Sequence, residues 1–114
     1  MSMRLFAGLT ALAAGLTIGG AAIAASAEQG KTAYAKYGCW QCHGYVGQGG
    51  VTGPKLAPDP LPLEALVGFL RSSNRAMPPY REAILPDGDI ADIHAYLLTI
   101  PKPADPKTIP LLNQ

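Results

Sequence analysis

The chain has 114 residues, a formal net charge of +1, and nine basic side chains against eight acidic ones. This length suits a single domain, and the balanced charge excludes the strongly basic surface that binds nucleic acids. Two cysteines are too few for the disulfide framework of a small secreted protein. Only 15% of the residues are charged, and the N-terminus accounts for much of this low fraction.

The first 27 residues have the pattern of a secretory leader. Arg4 precedes an uncharged run from Leu5 to Ala27, and Ala25-Ser26-Ala27 places small residues at alternate positions, as at the cleavage site of a signal peptide. We expect export to the periplasm and cleavage after Ala27, so that removal of 27 of the 114 residues leaves 87. The alternative is an uncleaved anchor at the periplasmic face of the inner membrane, because the run is long enough to span a bilayer.

Three amphipathic segments predict helices in the remaining chain. The first lies roughly between Glu28 and Tyr37, the second opens near Pro60 to Pro62, and the third follows Pro86 with Asp87 as its N-cap. Apolar residues recur at helical spacing in each, as Gly30, Ala33, Tyr34 and Tyr37, then Leu63, Leu66, Val67 and Leu70, then Ile90, Ile93, Leu97 and Ile100. The sequence has no alternating strand pattern of useful length, so we predict an all-α fold class.

Residues 101–114 form a proline-rich tail. Its four prolines predict an extended rather than helical conformation. Two interpretations stay open. The tail is an arm that lies on the domain or is loosely held, or it is a docking segment for a larger partner.

Cys39-Trp40-Gln41-Cys42-His43 is a C-x-x-C-H motif, the attachment signature of c-type haem. Thiols at this spacing add to the two vinyl groups of haem as thioethers, and the adjacent histidine reaches the iron from one face. We therefore predict one covalently bound haem c, with Cys39 and Cys42 as its attachment residues and His43 as an axial iron ligand.

Three other interpretations of the motif fit its residues less well. A thioredoxin-like redox pair needs a strand before the first cysteine, and no strand is predicted. A structural disulfide leaves His43 without a role. A zinc site needs four ligands, and Cys39, Cys42, His43 and the distant His94 do not match zinc-finger spacings.

The chain resembles a monohaem class I cytochrome c over residues 28–100. The resemblance rests on Gly30 and Tyr34, on the motif with its following Gly44, and on segments 47–50, 53–56 and 76–80, with Tyr96 in the last helix. It implies about three to four short helices wrapped around one covalently attached haem. The expected organisation is a leader at 1–27, a cytochrome c domain at 28–100 and the tail at 101–114.

The sixth iron ligand is predicted by elimination. Met1 and Met3 leave with the leader, so Met77 is the remaining thioether. The two prolines after Met77 favour a rigid, extended loop, which suits a ligand better than a gap-filling core methionine. His94, on the flank of the last helix, is the competing ligand.

The resemblance also implies roles for residues around the haem. The carbonyl of Pro54 would accept a hydrogen bond from His43 Nδ1, and Gly30 and Tyr34 would pack against Tyr96 where the first and last helices cross. An apolar lining is expected from Leu56, Leu66, Leu70, Tyr80, Ile93 and Leu97.

Two further features have open interpretations. Trp40 is an exposed partner anchor, or it lies flat on the haem or on Tyr45. Three arginines around the Met77 loop, Arg71, Arg75 and Arg81, either pair with haem propionates or form a basic rim for an acidic partner.

Axial ligands from two side chains would leave no open iron position, which favours electron transfer over catalysis. We predict a periplasmic single-electron carrier, not an enzyme, that has no small-molecule substrate and meets a membrane only if the leader is uncleaved. Its expected partners are a periplasmic dehydrogenase as donor and an oxidase or reductase as acceptor. The alternatives are a dedicated cytochrome c subunit of a quinoprotein or flavoprotein dehydrogenase, and a haem sensor or enzyme with a labile Met77.

Overall fold

The structure is a computed structural model that describes residues 24–114. Most of the expected leader therefore lies outside the described residues. Within them the chain forms four α-helices and no strand: α1 (Ala27–Lys36), α2 (Trp40–His43), α3 (Leu63–Ser72) and α4 (Asp87–Leu98). None of these helices is long and apolar enough to cross a bilayer. The predicted all-α fold class is confirmed, and α2 is added to the three helices that periodicity predicts.

Helices α1 and α4 cross at Gly30. A Cβ atom on Gly30 would lie 1.8 Å from the carbonyl oxygen of Asp92, so a side chain there would force the helices apart. One turn further along α1, the ring of Tyr34 packs against that of Tyr96, with centroids 5.6 Å apart and planes tilted by 58°. The predicted packing of Gly30 and Tyr34 against the last helix is confirmed.

The core is a thin layer between α1, α3, α4 and the loops that join them. Its buried apolar side chains are Ala33, Tyr34, Ala57, Leu66, Leu70, Leu85, Ile90, Ile93, Tyr96 and Leu97. Most of them belong to the periodic stripes, as expected for helices that bury one face. A second group touches this core and stays partly exposed: Tyr37, Cys39, Leu56, Val67, Met77, Tyr80 and Ile100.

Helix α4 has a different N-cap from the predicted one. Pro86 occupies the cap position, and Asp87 is the first helical residue. The carboxylate of Asp87 binds the guanidinium of Arg71 on α3 and caps no backbone N–H. The prediction of Asp87 as N-cap is wrong, because the ion pair to another helix directs its side chain away from the α4 amides.

The tail is not simply extended. It contains two turns of 3₁₀ helix, Pro106–Thr108 and Pro110–Leu112. The carboxylate of Asp105 accepts from the Lys107 N–H at 2.9 Å, and the side-chain amide of Asn113 donates to two tail carbonyls at 2.8 Å. These polar side chains stabilise turns that proline at a first helical position tolerates, and they explain the departure from the expected conformation.

Candidate haem-binding site

The C-x-x-C-H motif is folded into one helical turn between two glycines. Gly38 precedes it with φ of 76°, and Gly44 ends α2 with φ of 79°; both values favour glycine. The carbonyl of Cys39 accepts from the His43 N–H at 3.0 Å. Residues three and four apart lie on one face of such a turn, so Cys39, Cys42 and His43 share a face, and no disulfide joins these two cysteines.

The ring of His43 is buried and held in one orientation. Its Nδ1 lies 2.7 Å from the carbonyl oxygen of Pro54, which confirms the expected hydrogen bond. Because a carbonyl only accepts, Nδ1 carries the proton and Nε2 keeps the lone pair that binds a metal. Gly53 lies behind the ring, where a Cβ atom would come within 2.9 Å of Nδ1 and 2.7 Å of the Cys42 oxygen.

The loop that carries Met77 is fastened to the C-terminal end of α3. The buried hydroxyl of Ser73 donates to the carbonyl of Met77 at 2.7 Å, and the N–H of Tyr80 donates to the carbonyl of Leu70 at 2.7 Å. Arg71 Nη1 donates to the Tyr80 carbonyl at 2.9 Å. Three hydrogen bonds therefore hold the backbone of this loop, while the half-buried Met77 packs against the core.

Tyr80 joins the Met77 loop to the segment before the motif. Its hydroxyl donates to the carbonyl of Tyr37 at 3.2 Å. Burial raises the pKa of Tyr80, and negative charge on the nearby Cys39 and Cys42 thiols would raise it further. The structure thus brings the predicted lining residue Tyr80 close to both attachment cysteines.

The predicted apolar lining falls into two groups. Leu66, Leu70, Ile93 and Leu97 are buried in the core, whereas Leu56 and Tyr80 rest on the core and keep exposed surface, like Cys39 and Met77. Apolar side chains that keep exposed surface, beside two cysteines and an oriented imidazole, suit an apolar cofactor held by thioether bonds. These residues fit haem c, and their individual contacts with it stay predictions.

The geometry opposes two of the three other interpretations of the motif, the redox dithiol and the zinc site. Burial raises the pKa of the Cys39 thiol to about 11, whereas the reactive cysteine of a redox dithiol has a lowered pKa. Within residues 24–114, no three His, Cys, Asp or Glu side chains are grouped so as to hold a metal ion. The His94 Nε2 is instead within 3.0 Å of the Leu61 carbonyl. A zinc site built from the motif and His94 is therefore contradicted.

The structure shows what Trp40 and Arg71 contact, and it leaves the roles of Arg75 and Arg81 as predictions. Trp40 stacks on Tyr45 with ring centroids 5.1 Å apart and planes within 8°, although 37% of its surface stays exposed. Arg71 forms an ion pair with Asp87 and donates a hydrogen bond to the Tyr80 carbonyl. Arg75 and Arg81 are exposed, and neither forms an ion pair with another described residue. Pairing of these two with propionates stays a prediction.

Sequence reasoning missed the part that Ser73 plays in holding the Met77 loop. Serine near a helix end usually bonds to its own helix or caps the next one, and no motif distinguishes this one. Its spacing of four residues before Met77 is the only signal in the sequence. Only the folded loop shows that its hydroxyl reaches the Met77 carbonyl.

Comparison with known proteins agrees with this geometry. A family model described as "Cytochrome C oxidase, cbb3-type, subunit III" matches residues 25–97. The matched range contains the C-x-x-C-H motif, the Met77 loop and nearly all of α4. No curated protein and no solved structure gave a match. Because the match spans more than half of the chain, the chain belongs to this family and is a class I c-type cytochrome that binds haem c covalently.

Proposed function

We propose that this protein is an exported single-electron carrier in which His43 and Met77 are the axial iron ligands. Haem c supplies a one-electron couple between ferric and ferrous iron. The observation that carries the proposal is the separate anchoring of the two ligands. The Pro54 carbonyl orients the His43 ring, and three hydrogen bonds hold the Met77 loop on α3. Ligands held by the protein itself would keep their positions in both oxidation states.

The competing ligand, His94, is less well placed. Its Nε2 is within hydrogen-bonding distance of the Leu61 carbonyl at 3.0 Å, and this contact would have to break before that nitrogen could reach iron. The Met77 side chain, in contrast, is partly exposed and packs against the same buried core as Cys39. The contacts of both residues therefore favour methionine ligation.

Paired substitutions test the ligation. We expect Met77→Ala to abolish the weak near-infrared methionine–iron band of the ferric protein and to lower the reduction potential, since a methionine ligand raises it. The matched variant His94→Ala should keep both. Absence of the band from the wild type, or a potential that falls in His94→Ala and is unchanged in Met77→Ala, would overturn the assignment. Rapid binding of carbon monoxide to the reduced wild type would favour a sensor or an enzyme with a labile ligand.

The partners of the carrier follow from its class. A cytochrome c domain exchanges electrons with other redox proteins. We propose a periplasmic dehydrogenase as donor and a terminal oxidase or reductase as acceptor, and the family description, which names an oxidase subunit, supports an oxidase. The periplasmic location rests on the leader. Fractionation of cells that express the full chain tests it, with the haem absorbance expected in the periplasmic fraction.

The tail supports a second candidate, a dedicated subunit of a dehydrogenase complex. Leu111 and Leu112 are 79% and 64% exposed, although the 3₁₀ turns around them are held by the tail's own hydrogen bonds. Apolar side chains on an ordered segment favour a protein partner. Truncation after Ile100 should abolish co-purification with such an enzyme, whereas a free carrier would behave as a monomer in gel filtration with or without the tail.

A further inference from the structure

Ser26 is part of the folded domain. It is the N-cap of α1, and its hydroxyl accepts a hydrogen bond from the Gln29 N–H at 3.2 Å. Its carbonyl accepts from the Gly30 N–H at 2.8 Å, which is the first backbone hydrogen bond of the helix. Ser26 thereby satisfies two N–H groups that would otherwise lack a partner at the start of α1.

Ser26 also ties α1 to α4. Its backbone N–H donates to the Asp92 carboxylate at 2.6 Å, across 66 residues of sequence. The same Asp92 presents its carbonyl oxygen to Gly30 at the crossing of the two helices. One residue of α4 therefore meets both the cap and the first turn of α1, and Ser26 belongs to the contact between these two helices.

Cleavage after Ala27, the position expected from the sequence, would remove all the contacts of Ser26. It would also place the new α-ammonium group on Glu28, inside the first turn of α1. A positive charge there opposes the partial positive charge at a helix N-terminus. Loss of a serine cap alone costs about 4–8 °C in Tm for a domain of this size.

We propose that the leader is cleaved after Ala24, so that the mature chain begins at Ala25 and keeps Ser26. The inference rests on the proposed export of the protein. Ala22-Ile23-Ala24 has small residues at the same alternate positions as Ala25-Ser26-Ala27, so the sequence rule accepts both sites. The contacts of Ser26 distinguish them, because only the earlier cut preserves the cap and the bond to Asp92.

Two observations agree with the earlier cut. Ala24 and Ala25 are exposed and precede the helix, whereas Ala27 is its first residue. The match to the cytochrome family begins at residue 25, so the segment shared with the family includes Ser26. The new α-ammonium group would then lie outside the helix, one residue before the cap.

The intact mass of the exported holoprotein tests the proposal. The full chain is expressed in a bacterium that exports proteins and attaches haem c, and the haem protein is purified from the periplasmic and membrane fractions. We expect the mass of residues 25–114 plus one haem. A chain that begins at Ala27, Glu28 or any residue other than Ala25 would overturn the assigned bond. An intact leader on membrane-bound haem protein would overturn export in soluble form as well, while leaving electron transfer untouched.

Matched leader variants sharpen the result. Ala24→Leu puts a large residue next to the proposed bond and should abolish the chain that begins at residue 25, whereas Ala27→Leu blocks only the later site and should leave processing unchanged. The reverse pattern would overturn the proposal. Separately, a mature chain started at Glu28 from a foreign leader should melt about 4–8 °C below one started at Ala25, and equal Tm values would show that Ser26 does not stabilise the fold.

Discussion

Gly30 is the residue at which α1 and α4 cross. Replacement by alanine would put a methyl group 1.8 Å from the Asp92 carbonyl oxygen, so α1 would have to move away from α4. We expect Gly30→Ala to lower the free energy of unfolding by about 2–3 kcal/mol, the cost of overpacking a tight contact. Urea unfolding of the holoprotein measures it.

Gly68 provides the matched control within α3. A Cβ atom there meets nothing within 4 Å, and alanine is the better helix former by about 0.5–1 kcal/mol. Gly68→Ala should therefore stabilise the protein while Gly30→Ala destabilises it. Similar effects of the two substitutions would mean that close packing at the crossing does not govern the stability of the domain.

Ser73 is a residue whose substitution should weaken the binding of the Met77 ligand to iron. Its buried hydroxyl holds the Met77 carbonyl at 2.7 Å, and Ser73→Ala leaves that carbonyl without this donor, at a cost of about 1–2 kcal/mol. On the proposed ligation, the near-infrared methionine–iron band should disappear at a lower temperature than in the wild type. Ser72→Ala is the control, because the Ser72 hydroxyl bonds only to the Gly68 carbonyl within α3. A band that is equally heat-stable in both variants would contradict the anchoring role.

At the level of helices, apolar periodicity predicted the three helices that are long enough to form an amphipathic stripe. The structure places α1, α3 and α4 on the three expected stripes, and α1 begins one residue before the expected start. Helix α2 escaped prediction because four residues are too few to show a periodic stripe. Its turn depends on Gly38 and Gly44 with positive φ and on backbone hydrogen bonds.

The same holds for the candidate site: features formed by neighbouring residues in the sequence were predictable, and contacts between distant segments were not. The attachment cysteines and His43 are adjacent in sequence, so their spacing alone was informative. The contact between Ser73 and Met77, and the ion pair that displaces Asp87 from its expected cap position, depend on how α3, α4 and the loop pack together. Such contacts have no sequence pattern, because tertiary packing decides which donor meets which acceptor.

Arg71 connects α3 to α4 and to the Met77 loop at once, through Asp87 and the Tyr80 carbonyl. We expect Arg71→Ala to cost about 2 kcal/mol, because it leaves the carbonyl of the half-buried Tyr80 without its charged donor. Asp87→Ala should cost less than about 1 kcal/mol, since the Asp87 side chain is 60% exposed and surface ion pairs contribute little. Chemical unfolding of both variants measures their free energies of unfolding. A larger decrease in Asp87→Ala would show that the ion pair, and not the bond to the Tyr80 carbonyl, is the main contribution of Arg71.

At the scale of the whole molecule, hydroxyl groups of tyrosines connect segments that are distant in sequence. Tyr34 on α1 donates to the carbonyl of Gly44 at 2.7 Å, and Tyr80 in the Met77 loop donates to that of Tyr37. Tyr96 on α4 donates to the carbonyl of Tyr45 at 3.3 Å. A domain with a thin apolar core thus gains order from hydrogen bonds that surround the haem attachment motif, and these bonds require protonated tyrosines.

This dependence predicts that stability falls at alkaline pH. Burial raises the pKa of Tyr34 well above its usual value, so the folded chain keeps a proton that the unfolded chain releases near pH 10. The contribution of Tyr34 is complete below about pH 10, and above it the free energy of unfolding should fall by about 1.4 kcal/mol per pH unit. Urea unfolding between pH 8 and pH 11 measures the slope. Tyr34→Phe should lower stability at pH 8, since it loses the bond to Gly44, but should flatten the alkaline slope. The exposed Tyr45→Phe should retain that slope, and an unchanged slope in Tyr34→Phe would assign alkaline unfolding to other groups.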